Sequence, residues 1–358
     1  MMGIDRTLVI AEAGVNHNGS LDLARKLVDA AADAGADAVK FQTFKAARLT
    51  SRSAPKAAYQ SRAIGDADSQ FEMLKRLELD EAAHSDLMLH ARDRGIRLLS
   101  TPFDSESLDL LLSQGMRLIK VSSGDITDAP FLLDISRKAD ELILSTGMAS
   151  LGEIEAALAL LAFGFTAGPE EIPSASSLAE AYASAAGQAA LRARVSLLHC
   201  TTEYPAPFDE INLRAMDTLS MAFGLPVGYS DHTQGIHVSI AAVARGARII
   251  EKHFTLSREM PGPDHAASLE PQELAELISS IRDVEVALGS TVKHPSSSER
   301  KNLPVARKSL VAAQDIPAGS PLLLACKRAG AGVSPFEYWR LQGRPALRDY
   351  ARDEPIDG

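Results

Sequence analysis

The chain alternates eight times between a short apolar run and an amphipathic helical pattern. The runs cover residues 7–11, 38–41, 96–100, 117–121, 142–145, 195–199, 227–229 and 247–251. Because the runs are apolar on both faces, they predict buried strands of a parallel sheet that is covered by helices. Eight such units in about 290 residues predict an α/β fold of the (β/α)8 TIM-barrel type rather than an open doubly wound sheet. No GxGxxG motif follows the first run, which argues against a dinucleotide-binding fold.

A second, smaller unit is predicted after the barrel. Residues 291–302 include KHPSSSER, which has the composition of a linker. Residues 303–358 hold short β-like runs between Pro and Gly, with too few residues for a large core. We therefore predict a barrel domain at residues 1–290, a linker at 291–302 and a small β-rich domain at 303–358. Within the barrel, we interpret residues 43–70 as a long loop on the rim where lids occur, and residues 166–187 as a surface insertion.

Composition narrows the partners and the compartment. The 358 residues carry a net charge of −10 and a pI near 5.4, which argues against nucleic acid or an anionic membrane as the main partner. Cys200 and Cys326 lie far apart without CxxC spacing, as is typical of a protein from a reducing compartment. The first residues show no signal-peptide pattern, and no apolar run reaches the ~20 residues of a membrane helix. We expect a soluble, cytoplasmic protein.

Polar side chains follow every predicted strand, at the end where a barrel carries its chemistry. These residues are Glu12, Lys40, Thr101, Lys120, Ser123, Asp125, Ser145, Thr202, Ser230, His232, Lys252 and His253. Strand ends are often polar because loops face water. A lysine at the end of a buried run is costly, however, unless an anionic group meets it. Lysines that converge with several hydroxyls therefore predict a pocket for phosphate and carboxylate groups.

Two histidines, His232 and His253, each follow a short apolar run. Two imidazoles at the ends of neighbouring strands can bind one divalent ion, which makes a metal-assisted active site one hypothesis. Around them stand further ionisable groups, namely Asp231, Glu251, Lys252 and Asp264. The alternative is that each histidine is a hydrogen-bonded loop residue, and spacing alone leaves both interpretations open.

Nine motifs, in order, closely resemble those of the sialic-acid synthases, enzymes that join phosphoenolpyruvate to an N-acylated hexosamine. They are IAEAGVNHNG, VKFQTF, STPFD, KVSSGD, LSTGM, LLHCTTEYPAP, GYSDHT, EKHFT and PGPDH. The resemblance covers nearly the whole chain, and residues 303–358 resemble the antifreeze-protein-like (SAF) domain of these enzymes. TTEYPAP, together with the insertion before it, favours a legionaminate-type or related synthase within the family.

The resemblance implies roles for particular residues. His232 and His253 match the ligands of a divalent metal, normally Mn²⁺, with Mg²⁺ or Co²⁺ as alternatives. The residues that match phosphoenolpyruvate-binding positions are Lys40, Thr101, Lys120, Ser123, Ser145 and Ser230. Those that match acceptor-sugar positions are Glu12, Thr202, Tyr204 and Asp264. Arg328, in the segment KRAG, matches an arginine that reaches the N-acyl group from the partner subunit, which implies a homodimer with the C-terminal domain over the partner's active site.

Three residues depart from the family pattern. Asp125 stands where these enzymes usually have Glu, Thr202 where they have Asn, and Ala329 where they have Pro. Asp125 keeps a carboxylate that is one methylene shorter, so either Asp125 or Glu12 can take the proton of the water that adds to C2 of phosphoenolpyruvate. Thr202 and Ala329 affect the identity of the sugar more than the reaction.

Three other functions are weighed against this one. A phosphoenolpyruvate aldolase acting on an aldose phosphate would need a second basic cluster, for which the chain offers only Arg48, Arg52, Lys56 and Arg62. A metal-dependent amidohydrolase would carry HxH after the first strand, where this chain has Asn16, His17 and Asn18. A non-catalytic sugar-binding protein that uses the SAF domain would not need both histidines and Lys120.

Overall fold

The computed structural model describes residues 6–58, 60–61, 65 and 68–357. The chain forms two compact units, Met1–Gly289 and Ser290–Gly358. In the described part of the chain, no helix is both long enough and apolar enough to cross a bilayer.

The first unit is built on eight parallel strands. They are β1 (Leu8–Gly14), β2 (Ala38–Thr43), β3 (Arg97–Pro102), β4 (Leu118–Val121), β5 (Glu141–Ser145), β6 (Val195–Cys200), β7 (Val227–Asp231) and β8 (Ile249–His253). Their order in the sheet is β3-β2-β1-β8-β7-β6-β5-β4. The two end strands, β3 and β4, lie beside each other. The sheet is therefore a nearly closed barrel, which confirms the predicted eight-stranded parallel architecture.

Helices cover the outside of the barrel. The main ones are Leu21–Asp33, Gln70–Leu77, Glu81–Asp93, Ser105–Ser113, Ala129–Lys138, Leu151–Thr166, Ala215–Phe223, His237–Ala244 and Pro271–Leu288. Several begin where a Ser or Asp side chain accepts a hydrogen bond from a backbone N–H of the first turn, as Ser20, Asp80, Asp104 and Ser150 do. Such caps satisfy donors that the helix itself cannot pair. The strand-to-helix loops therefore have defined ends on the barrel rim.

Strand alternation sorts the side chains into two cores. Outward residues such as Val9 and Ala11 pack against the helices. Inward residues form an apolar layer across the barrel, made of Ile10, Ala38, Leu99, Ile143, Leu198 and Ile249. Because side chains two residues apart face the same side of a strand, the next inward layer is polar. It consists of Glu12, Lys40, Thr101, Lys120, Ser145, Cys200, Ser230 and Glu251.

The predicted surface insertion at residues 166–187 is largely helical. Ala175–Ala183 and Ala185–Arg194 are helices, capped by the hydroxyls of Ser174 and Ser184. Alanine favours helix and serine favours the cap, so the biased composition specifies structure rather than an irregular loop. Among its described residues, the predicted rim loop at residues 43–70 includes the short helix Ala46–Leu49. Residues 59, 62–64 and 66–67 of that loop lie outside the described residues.

The second unit has a small core of its own. It contains the helix Ser297–Ala306 and an antiparallel pair, β9 (Ser309–Ala312) and β10 (Leu324–Lys327). Its core residues are Leu310, Ala312, Ile316, Leu322, Leu324, Ala346, Tyr350 and Ile356. The predicted linker at 291–302 therefore runs into a helix, which begins with a capping box of Ser296 and Glu299. Regular β structure in the described residues of this unit is limited to the two strands and a few isolated bridges.

Candidate active site

A cavity of about 390 Å³ lies at the carboxyl ends of the strands. Its lining brings together eleven of the predicted site residues: Glu12, Lys40, Thr101, Lys120, Ser123, Ser145, Thr202, Tyr204, Ser230, His232 and His253. They come from β1 to β8 and the loops that follow, although up to 241 positions separate them in the chain. The strand ends therefore converge on one site.

The floor of the cavity is a buried cluster of two lysines and two glutamates. Nζ of Lys40 lies 2.6 Å from Oε2 of Glu12 and 3.5 Å from Oε2 of Glu251. Nζ of Lys120 lies 3.4 Å from Oε1 of Glu251. All four side chains are almost fully buried. An anionic substrate that enters this floor therefore meets two ammonium groups that have little contact with water.

The two glutamates of the floor differ in their acidity. Burial raises the pKa of Glu12 to about 7, although the ammonium group of Lys40 opposes the shift. Burial acts in the same direction on Glu251, but the Lys120 and Lys40 ammonium groups outweigh it and hold the pKa of Glu251 well below its usual range. At neutral pH Glu251 is ionised, whereas Glu12 is present in both its protonated and its ionised form. With two lysines and one fully ionised carboxylate, the floor favours anions.

Hydroxyl groups surround the floor. Lys40 donates from Nζ to Oγ1 of Thr101 over 2.8 Å, and Ser230 donates from Oγ to Oε1 of Glu251 over 2.8 Å. On the β4 side, Oγ of Ser123 accepts from the backbone N–H of Gly147 at 3.0 Å. Gly147 has no room for a side chain, because a Cβ would lie 2.4 Å from Oγ1 of Thr202. These donors can bind the oxygens of a phosphate or carboxylate group.

The two histidines face each other above the floor. Their ring centroids are 5.6 Å apart, and the ring of Tyr204 lies 4.2 Å from that of His232. Nδ1 of His232 lies 2.7 Å from the carbonyl oxygen of Thr201 and donates to it, so Nε2 carries a lone pair, whose nearest described partner is Oγ of Ser230 at 3.4 Å. Nδ1 of His253 is buried and has no hydrogen-bond partner among the described residues. Each ring thus keeps one nitrogen for a ligand.

The chemistry of this pair fits a divalent metal. Burial lowers the pKa of His232 to about 4 and the pKa of His253 well below its usual range, so both rings are neutral, which is the form that binds metal ions. No group of three or more His, Cys, Asp or Glu with metal-binding geometry occurs in the described ranges. The protein therefore offers two ligands, and water or substrate oxygens would complete the coordination.

Three predicted site residues do not line the cavity. Asp125 ends a 3₁₀ turn beside it and accepts a hydrogen bond from Oγ of Ser122 at 2.6 Å. Burial raises the pKa of Asp125 to about 6. Asp264 is buried before the turn His265–Ala267, and burial likewise raises its pKa to about 6. Arg328 belongs to the second unit.

Sequence reasoning assigned no role to Glu251, although it noted this residue beside the histidines. In the β7–β8 register Glu251 lies opposite Ser230, and both side chains point into the barrel. Strand alternation was the signal: Glu251 lies two residues before the inward His253. Gln42, Phe103 and Met148 also line the cavity and were not predicted.

One wall of the cavity is apolar. Leu49, Leu74, Phe103 and Met148 supply it. The first three pack against a small cluster made of Val15, Phe44, Met73 and Leu77. The cavity thus combines a cationic floor with a wall suited to methyl groups.

The chain is similar to known proteins over most of its length. The profile of the NeuB family matches residues 27–293. The chain is 50% identical over 354 residues to the N,N′-diacetyllegionaminic acid synthase of Campylobacter jejuni, covering 98% of this chain and 99% of that protein. It is 43% identical to the Legionella pneumophila enzyme of the same name, covering 94% and 89%. It is 31% identical to the human N-acetylneuraminate-9-phosphate synthase, covering 97% and 90%.

A solved structure shares the fold. The crystal structure of an N-acetylneuraminic acid synthetase from Leptospira borgpetersenii, in complex with citrate, superposes with a TM-score of 0.67 at 31% identity. The match covers 84% of this chain and 91% of that one.

Proposed function

The chain belongs to the NeuB family, and from this premise we propose that it condenses phosphoenolpyruvate with the open-chain aldehyde of an N-acylated hexosamine. The products are a nine-carbon, legionaminate-type acid and phosphate. The observation that carries the proposal is the floor of the cavity, where Lys40 and Lys120 flank Glu251 beneath two neutral histidines. A trianionic substrate fits such a floor.

We assign phosphoenolpyruvate to the lysine floor. Lys40 and Lys120 balance its charge, and the hydroxyls of Thr101 and Ser123 are donors for its oxygens. Ser230 becomes a third donor when its O–H turns from Glu251 to the substrate. Ser145 lines the same surface. Burial of these groups strengthens each contact, because little water competes for the same oxygens. The arrangement holds C3 of phosphoenolpyruvate in a fixed position relative to the rest of the cavity.

The acceptor sugar then lies above the floor, near Glu12 and Tyr204. Its N-acyl groups would contact the apolar wall formed by Leu49, Leu74 and Phe103. The two relatives named N,N′-diacetyllegionaminic acid synthase support a 2,4-diacetamido-6-deoxyhexose as the acceptor. The second candidate is N-acetylmannosamine, which has one acyl group and a hydroxyl at C6. Thr202 lines this region and takes part in the choice.

Two of the proton transfers in this reaction are assigned to side chains. Bond formation between C3 of phosphoenolpyruvate and the aldehyde carbon requires one proton on the aldehyde oxygen. Glu12 can supply it, because this group exchanges a proton near neutral pH. Water then adds at C2 and gives up one proton, for which Asp125 is the proposed base. Breakage of the bond between C2 and the bridging oxygen then turns the C2 hydroxyl into a keto group, and the hydroxyl proton leaves with the phosphate, which the lysines and hydroxyls bind.

A divalent ion, Mn²⁺ in this proposal, would be held by His232 and His253 and would supply Lewis acidity for the aldehyde. The neutral rings and the unpartnered Nδ1 of His253 support this assignment. Resemblance alone supports an SAF-type domain at residues 303–358 and a homodimer in which Arg328 reaches the partner's acceptor. The two free cysteines, Cys200 and Cys326, are consistent with the proposed cytoplasmic location.

The contacts of the rim loop argue against an aldose-phosphate acceptor. Arg48 pairs with Glu106, Lys56 donates to the carbonyl oxygen of Gly65, and Arg52 stacks over Phe71. Arg62 lies outside the described residues. Of the loop residues that the structure describes, those that line the cavity are Leu49, Thr50, Gln60 and Gln70, and none of these four is charged.

Phosphate release from phosphoenolpyruvate, measured over a panel of acceptors with Mn²⁺, tests the proposal. The panel contains the diacetamido-deoxyhexose, N-acetylmannosamine, N-acetylmannosamine 6-phosphate and a hexose without an acyl group. We expect kcat/KM to be highest for the diacetamido sugar and at least about tenfold lower for the 6-phosphate. A preference for the 6-phosphate would contradict the acceptor class, and acceptor-independent release would contradict the condensation itself.

A further inference from the structure

A second buried charged pair lies on the opposite side of the strands that carry the histidines. Asp231 of β7 and Lys252 of β8 are direct cross-strand partners in the sheet register. Their side chains point away from the cavity, because they alternate with the inward Ser230, Glu251 and His253. Each is only 1% exposed, and neither lines the cavity.

Hydrogen bonds tie this pair to the peptide around His232. Oδ1 of Asp231 accepts from the backbone N–H of Thr233 at 2.8 Å and from its hydroxyl at 2.7 Å. Oδ2 of Asp231 accepts from Oγ of Ser239 at 2.6 Å. His232 therefore lies at the centre of a closed turn whose two flanking residues are bonded to each other.

Lys252 joins that turn to the next strand. Its Nζ lies 3.1 Å from Oδ2 of Asp231 and donates to the carbonyl oxygen of Thr233 over 2.5 Å. Because Lys252 directly precedes His253, the ammonium group connects the backbone that holds one histidine to the backbone that holds the other. The distance between the His232 and His253 rings therefore depends on the pair of Asp231 and Lys252.

Packing alone gives no reason for charges at these positions. At the corresponding outward positions of β1, β4 and β5 the barrel has Ala11, Val121 and Leu144, all in the apolar core. A buried ion pair is often no more stabilising than apolar residues of the same volume, because both charges must leave water. What the pair adds is fixed geometry, since each charged group holds several defined hydrogen bonds.

We propose that Asp231 and Lys252 are positioning residues that set the separation of His232 and His253, and that the affinity of the site for a divalent metal depends on them. The inference rests on the proposed metal site. Outer partners of metal ligands commonly change affinity by about 10- to 100-fold. We therefore expect a loss of this size for Lys252→Met and for Asp231→Asn, although neither residue can touch the ion.

The test measures Mn²⁺ binding to the full-length chain by the loss of the free-ion electron paramagnetic resonance signal. Binding of phosphoenolpyruvate without metal and thermal unfolding are recorded in parallel. We expect Mn²⁺ dissociation constants to rise about 10- to 100-fold in both variants, while the affinity for phosphoenolpyruvate changes less than about threefold. Glu285→Gln is the matched control, because this buried glutamate accepts from Thr7 N–H on the outer side of the barrel, away from the histidines. Its Mn²⁺ affinity stays unchanged even if its stability falls.

The double variant Asp231→Asn/Lys252→Met separates positioning from stability. Removing both charges avoids an unpaired buried charge, so unfolding stability recovers while weak Mn²⁺ binding persists. If either single variant does not fold, Ser239→Ala removes one hydrogen bond to Asp231 and is expected to weaken Mn²⁺ binding about threefold to tenfold.

The outcomes distinguish the proposed metal site from the proposed positioning role of Asp231 and Lys252. Failure of the unsubstituted chain to bind Mn²⁺ overturns the metal site, and the positioning role with it. Tight binding by the unsubstituted chain, together with unchanged binding in the folded variants, overturns the positioning role alone. Recovery of both stability and Mn²⁺ affinity in the double variant also overturns it.

Discussion

Oε1 of Glu251 lies 3.4 Å from Nζ of Lys120 inside the barrel, with both side chains almost fully buried. The same carboxylate group reaches Lys40 through its other oxygen at 3.5 Å. Glu251 is thus the carboxylate that both lysines share when no substrate is bound, and Lys40 also pairs with Glu12. A phosphate group that enters the floor has to compete with it for the same two ammonium groups.

Substitution of Glu251 by Gln should therefore strengthen anion binding while it weakens the protein. Inorganic phosphate should bind about tenfold more tightly, because it no longer competes with a carboxylate. The melting temperature without phosphate should fall, since the buried ammonium group of Lys120 loses its carboxylate partner and that of Lys40 keeps only Glu12. Calorimetry of phosphate binding and a thermal melt measure the two effects. Weaker phosphate binding in a folded variant would show that Glu251 orients the lysines rather than competing for them.

Substitution of Lys120 by Met should change the KM for phosphoenolpyruvate and not that for the sugar. We expect the KM for phosphoenolpyruvate to rise at least about tenfold while the KM for the sugar changes little, because the lost charge faces only the phosphate-bearing substrate. Steady-state kinetics with each substrate varied in turn provides the measurement. Lys138→Met is a suitable control, since that lysine pairs with Asp109 and Asp134 on the helical surface. Equal increases in both KM values would instead indicate a general structural role.

Asp125 predicts a pH dependence with a definite sign. Burial raises its pKa to about 6, so the carboxylate is ionised above that pH and protonated below it. A base must be ionised to take a proton, and turnover should therefore rise with pH through about 6. It should fall again above about 7, where Glu12 loses the proton that it supplies to the aldehyde oxygen. Asp125→Asn should abolish the rise in turnover near pH 6 and lower kcat by about 100-fold or more. Asp125→Glu should keep both the rise and the kcat. If the rise in turnover near pH 6 stayed unchanged in Asp125→Asn, it would be due to the titration of another group.

His253→Ala should separate metal content from folding. The ring is one of two proposed ligands, so its loss should remove tightly bound Mn²⁺ and nearly all turnover while circular dichroism stays the same. His90→Ala is the matched control, because His90 pairs with Asp29 between two surface helices. Metal analysis after gel filtration gives the readout. Wild-type turnover in His253→Ala after chelation and Mn²⁺ addition would contradict the metal assignment.

The barrel could be predicted because burial on both faces leaves a pattern in the sequence. Each of the eight predicted strands lies within two residues of an observed strand at its start, and the polar strand ends meet in one cavity as expected. The same pattern does not predict the direction in which the side chains of Glu251, Lys252 and His253 point. All three are ionisable, and only the phase of β8 decides that Glu251 and His253 face the cavity while Lys252 faces the helices. That phase depends on pairing with β7 and β1, which are distant in sequence.

Other residues could not be placed because their positions depend on tertiary contacts. Asp264 follows β8 by eleven residues, and the turn that buries it is set by contacts with Ser268 rather than by a strand. The helices Ala175–Ala183 and Ala185–Arg194 were missed as helices because their alanine- and serine-rich sequence lacks a strong apolar period. These two segments are helical because of the high helix propensity of their residues.

The fate of one oxygen atom tests the central claim most directly. Phosphoenolpyruvate labelled with ¹⁸O at the bridging position is incubated with the diacetamido-deoxyhexose, Mn²⁺ and the full-length chain, and both products are analysed by mass spectrometry. The account predicts a nine-carbon acid that carries no label and an equal amount of phosphate that carries one ¹⁸O, because the bond between C2 and the bridging oxygen breaks. Label in the acid, or phosphate formed without the acid, would contradict it.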